Sequence, residues 1–130
     1  MPDGLEQLNR PITSHERDLL LWLIEHGGPG LQHLVSQIDS LTVVARCRCG
    51  CPTVYFAIDG KPRSRRGERI IADYLATVSG NEVGVMLFEL DGSLSSLEVY
   101  DCAGHDKPFG LPPVDSLHTF EEHATRTQDI

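Results

Sequence analysis

Three cysteines alternate with other residues in Cys47-Arg48-Cys49-Gly50-Cys51-Pro52, a density of thiols that can bind a metal, exchange electrons or simply pack. In an extended strand, residues two apart point to one face, so the three thiols would line one side and Arg46 and Arg48 the other. Neighbouring thiols would then lie about 6.6 Å apart. Two ligands on one tetrahedral zinc lie only about 3.8 Å apart, given a zinc–sulfur bond of about 2.3 Å. A straight strand therefore cannot chelate with all three. Gly50 and Pro52 offer the escape, because a bulge or turn there folds Cys51 back toward Cys49. Cys102 is the candidate fourth ligand where the last strand comes near, with His105 as another. Zinc is then the candidate cofactor, although the spacing lacks the paired two-residue-separated cysteine couples of familiar zinc modules. The competing reading treats the thiols as small apolar side chains buried at a strand end, with no cofactor. Redox or catalytic thiol chemistry would need a thiolate-stabilising neighbour, a part open to Arg46 or Arg48.

Two further groups could do chemistry. Lys61, Arg63, Arg65 and Arg66 crowd a glycine-flanked loop, and several cations there make a local positive field for a phosphate or an acidic partner. The plainer reading is a solvated hairpin tip that keeps a sheet edge soluble. In Leu97-Glu98-Val99-Tyr100, alternation places Glu98 and Tyr100 on one face, which Asp73 joins if the helices cover the other. A carboxylate beside a phenol can hold a polar ligand or act as a general base. The plainer reading is a half-exposed cross-strand arrangement.

Other catalytic signatures are absent. No two of the six histidines stand at the i, i+4 spacing of helical zinc sites, and there is neither a glycine-rich phosphate loop nor a Gly-x-Ser-x-Gly elbow. This disfavours an enzyme, and no catalytic residue is assigned. The net charge of −8 disfavours general nucleic-acid binding. That charge is unevenly spread. Residues 40–72 carry seven basic and two acidic side chains, and the rest of the chain carries four basic and seventeen acidic ones. No basic head precedes a long apolar run at the N-terminus, and the longest strongly apolar stretch, residues 19–24, is far short of a membrane span of about 20 residues. The expected address is the cytoplasm, where cysteines stay reduced or bind metal.

These residues need elements to position them, and 130 residues is the size of one domain. Residues 1–12, polar with Pro2 and Pro11, read as an arm. Thr13-Ser14-His15-Glu16 fits a capping box, and Leu19, Leu20, Leu23 and Ile24 form one stripe of the helix that follows. A second helix is expected from Leu31, Leu34, Val35 and Ile38. From residue 41 the texture turns to β-branched runs and alternation over 41–44 and 53–58, the basic loop leads into 69–76, and 83–90 and 94–101 read as strands. Gly80-Asn81 marks a turn, and Asp91-Gly92 has the chemistry of a two-residue hairpin whose positions both need positive φ. The expected architecture is α+β, with two N-terminal helices packed on a four-stranded, mostly antiparallel meander. The domain spans residues 13–104, and residues 105–130 form a Pro/Gly-rich and then polar C-terminal segment.

The segments Ala45-Arg46-Cys47-Arg48-Cys49-Gly50-Cys51-Pro52-Thr53, Val83-Gly84-Val85-Met86-Leu87-Phe88 and Leu97-Glu98-Val99-Tyr100, with Leu-Leu-Leu-Trp-Leu-Ile in the first helix, carry a resemblance. Over roughly residues 12–102 the chain resembles a group of small uncharacterised bacterial proteins. That resemblance implies a bacterial origin and one compact domain, and brings no activity with it. Two functional readings follow from the residues themselves. The preferred one is a non-catalytic binding module, immunity-like, whose excess acid captures a basic protein partner. The alternative is a thiolate zinc protein built on Cys47, Cys49, Cys51 and Cys102. An exposed sheet edge would also allow a homodimer.

Overall fold

A computed structural model describes residues 4–58, 66–104 and 107–121. The capping box forms as expected. Thr13 Oγ1 accepts the Glu16 amide at 3.1 Å, and the Glu16 carboxylate accepts the Thr13 amide at 2.8 Å. Helix α1 (Ser14–His26) starts there and buries Leu19, Leu20, Leu23 and Ile24 completely. Each such leucine or isoleucine contributes about 1.5–3 kcal/mol relative to exposure, which is why this stripe decides the helix's docking face. Among the described residues no helix is long and apolar enough to cross a membrane.

The second expected helix is a 3-10 helix, Gln32–Ser40, with Leu34 and Ile38 buried. Its start has no side-chain cap, and the Leu34 amide is satisfied instead by a tight i to i+3 bond to Leu31 O at 2.9 Å. Gln37 ties it to the sheet by donating to Gly92 O at 2.8 Å and accepting the Leu94 amide at 2.9 Å.

The four-stranded meander is corrected. The sheet has six antiparallel strands, β1 (Leu5–Pro11), β2 (Leu41–Cys47), β3 (Val54–Ile58), β4 (Arg69–Val78), β5 (Asn81–Leu90) and β6 (Ser93–Asp101). Their spatial order is β1-β2-β3-β6-β5-β4. The supposed N-terminal arm supplies β1, which pairs with β2 from Leu5↔Cys47 to Pro11↔Thr42. Arg10 on that strand forms a two-pronged ion pair with Glu16, at 2.9 and 3.0 Å, and so locks β1 to the start of α1. After β3 the chain crosses to the far edge and returns through two hairpins, which puts β6 beside β3. Both hairpins turn on two residues with positive φ, Ser79 and Gly80 (50° and 82°) and Asp91 and Gly92 (51° and 82°). The first turn thus sits one residue earlier than Gly80-Asn81.

One sheet face carries the core. Val83, Val85 and Leu87 of β5 pack with Leu97 and Val99 of β6, Ala72 and Ala76 of β4, Val54 and Phe56 of β3, and the stripe of α1. Beyond β6 the chain passes through a short 3-10 turn, Val114–Ser116, and His118 pairs with Leu75 through both backbone groups, at 2.8 and 2.9 Å. This closes part of the outer edge of β4.

Candidate metal centre

The bend needed by the cysteines lies between β2 and β3. Cys47 is the last residue of β2, residues 48–50 turn, and Cys51 leads through Pro52 and Thr53 into β3. Gly50 makes the bend, with φ of +95°, a conformation that side-chain-bearing residues rarely adopt. A Cβ at that position would also lie 2.8 Å from Pro108 Cγ. The turn is thus packed beneath residues 107–110, and the Phe109 amide donates to Gly50 O at 3.2 Å.

This folding brings the three sulfurs together. Cys47, Cys49 and Cys51 place their Sγ atoms within 4.8 Å of one another, with Cys49 exposed and the other two half-buried. Cys47 Sγ and Cys49 Sγ are 2.7 Å apart. The turn also aims amides at sulfur, the Cys49 N–H at Cys47 Sγ (3.4 Å) and the Cys51 N–H at Cys49 Sγ (3.3 Å). Amides placed so can donate to sulfurs that carry negative charge when they hold a metal. Cys51 Sγ lies 3.4 Å from Thr53 Oγ1, and that hydroxyl also spans to the Val99 amide and carbonyl at 3.0 and 3.1 Å.

Among the described residues, no other histidine, cysteine, aspartate or glutamate joins this group. Cys102 lies in the turn after β6, and its amide donates to Glu82 O. Burial, with the nearby charges of Glu82 and Asp101, raises its thiol pKa above the ordinary value, which disfavours the ligating form. His105 lies outside the described residues, as do Lys61, Arg63 and Arg65. Arg66 is described and exposed. The arginines beside the cysteines turn toward β1, where Arg46 pairs with Glu6 at 2.6 Å and Arg48 donates to Leu5 O at 2.9 Å. Backbone amides, not guanidinium groups, therefore face the sulfurs.

Asp73, Glu98 and Tyr100 do share the face opposite the core. Asp73 and Glu98 flank Met86 in one cross-strand row, and Tyr100 is registered against Gly84 in the next. The Tyr100 ring lies directly over Gly84, where a Cβ would sit 2.1 Å from Cζ. Burial raises the Asp73 pKa, and burial together with the charges of Cys102, Asp73 and Glu82 raises that of Tyr100. Tyr100 also borders a pocket of about 400 Å³ that Cys49, Cys51, Asp101, Gly104, Lys107 and Phe109 complete. Sequence reasoning missed Thr53, Lys107 and Phe109, whose roles come from long-range packing that no local spacing encodes. No family model, curated protein or solved structure matches the chain.

Proposed function

We propose that the protein is a thiolate metal-binding module in which Cys47, Cys49 and Cys51 hold a zinc ion in the β2–β3 turn. The observation that carries this reading is the convergence of the three sulfurs within 4.8 Å. The amide donors onto Cys47 and Cys49 support it, because they offset the charge of adjacent thiolates. Thiolates select zinc and other soft ions over magnesium or calcium. With three protein ligands, zinc keeps a position for water or another ligand, and when bound it supplies Lewis acidity there. Binding would draw Cys47 and Cys49 slightly apart, since two zinc-bound sulfurs lie about 3.8 Å from each other.

The test is metal content on protein purified without chelator, with thiol titration before and after metal removal. About one zinc per chain is expected, with the three thiols protected until the ion is taken away. Cys51→Ser should weaken binding by more than the ~10–100-fold that follows loss of a merely supporting contact. A metal-free protein that also fails to take up zinc or cobalt would overturn the reading.

A second reading, capture of a basic partner, is favoured by the carboxylates of Asp73 and Glu82 near Tyr100, whose charges act on its phenol. Its test is salt-sensitive binding of an oligo-arginine peptide. Asp73→Lys should weaken that binding, and an unchanged affinity would remove the face from consideration.

A further inference from the structure

The spacing of the first two sulfurs also fits a second chemistry. At 2.7 Å they stand closer to the ~2.05 Å of a bonded pair than to the ~3.8 Å of two zinc ligands. Cys49 is exposed and borders the 400 Å³ pocket, whereas Cys47 is half-buried and does not. Lys107 and Asp101 border the same pocket, so it presents one charge of each sign beside the accessible sulfur. A peptide-like disulfide carrying both ammonium and carboxylate groups complements that lining.

We propose that Cys47 and Cys49 form a dithiol–disulfide couple that exchanges with small zwitterionic disulfides of the glutathione type, with Cys49 as the attacking thiol. The couple needs only the sulfur positions and stands without the metal, although an ion held by the same sulfurs would block it. Cys49, as thiolate, attacks one sulfur of the bound disulfide. The substrate's S–S bond breaks, one substrate thiolate leaves and takes up the proton that Cys49 gave to water, and a mixed disulfide remains on Cys49. The Cys47 thiolate, beside it, then attacks the Cys49 sulfur and displaces the second substrate thiolate, which takes up the Cys47 proton. Two protein thiols lose two electrons and become one disulfide, and one small disulfide becomes two thiols. Cys51 takes no covalent part.

The experiment uses the reduced, metal-free full-length chain in buffers of oxidised and reduced glutathione, read by intact mass and by peptide mapping. The expected product has lost two hydrogens, carries a Cys47–Cys49 bond and retains no glutathione. Cys47→Ser should trap a glutathione adduct on Cys49, and Cys49→Ser, which cannot form the bond, should add glutathione at Cys47 at least about 10-fold more slowly than Cys47→Ser adds it at Cys49. Cys51→Ser should still form the Cys47–Cys49 bond while losing one of the three metal ligands, which separates the two proposals. If neither chain binds zinc but both form the bond, only the metal reading falls. If the unaltered chain stays reduced in excess oxidised glutathione, keeps a stable adduct, or forms a Cys49–Cys51 bond instead, the couple is overturned. Far-UV circular dichroism of each variant confirms that the sheet persists.

Discussion

Glu16 shows how a single residue can tie two elements together. Its side chain is only 4% exposed, yet it stays charged because Arg10 grips both oxygens and the Thr13 amide adds a third bond. Burial pushes its pKa up, but the bonds from Arg10 and Thr13 outweigh that and hold it below the ordinary carboxylate value. A depressed folded pKa gives stability that is present above the unfolded pKa and lost as pH falls through the folded one. Arg10→Ala should therefore cost about 1–3 kcal/mol at neutral pH, the penalty for a buried charged acceptor short of donors. The cost should shrink in acid once Glu16 is protonated. Chemical denaturation of both chains across pH 2–7 measures it, and a pH-independent difference would contradict the mechanism. Gly84 poses the opposite case, since any side chain there collides with the Tyr100 ring. Gly84→Ala should destabilise by about 1–3 kcal/mol as an overpacked site, and Tyr100→Ala in the same chain should recover part of the loss. Absence of that recovery would mean the ring does not set the cost.

At the scale of elements, the sheet is two three-stranded antiparallel halves joined at one seam. Among the described residues, Val54↔Leu97 and Tyr55↔Ser96 are the pairs across β3 and β6, and Thr53 extends the seam by offering its hydroxyl to both backbone groups of Val99. Thr53→Val keeps the shape but leaves a buried amide and carbonyl without that partner. The expected loss is about 1–3 kcal/mol, with faster amide exchange at Val99 than at Val85 in the middle of β5. Equal protection at the two sites would show that the hydroxyl does not hold the seam. Nothing local in the sequence marks this seam, because strand patterning says which face is buried and not which strand lies alongside. Where the signal is local it reads correctly. The capping box, the stripe of α1 and the Asp91-Gly92 turn all form where their chemistry places them. Strand β1 escaped notice because two of the half-buried positions in its alternation, Glu6 and Arg10, are charged, so no apolar period marks it as a strand. The cysteine spacing did expose the need for a bend at Gly50, but not the distance of Cys102, which long-range register sets.

For the molecule as a whole, the cysteine turn connects parts far apart in the chain. It receives Phe109 through Gly50 O, places Pro108 against Gly50, and reaches β1 through the bond from the Arg48 amide to Gly4 O at 3.0 Å. An ion that binds the folded turn and not the unfolded chain stabilises the fold by linkage, about 2.7 kcal/mol when free ion stands at 100 times the dissociation constant. If the zinc reading holds, Tm should climb with the logarithm of free zinc above that constant, and chelation should return it to the metal-free value. The same titration should slow exchange of the Phe109 amide, because an ion that stiffens residues 47–51 also steadies the carbonyl to which it donates. Cys51→Ser should flatten both responses while leaving the Arg10–Glu16 lock, on the other side of β1, unchanged in its pH dependence. A Tm that ignores zinc would place the cysteines among the packing residues of the turn. A Tm that rises while Phe109 exchange stays fixed would confine the ion's effect to the turn itself and separate it from the C-terminal segment.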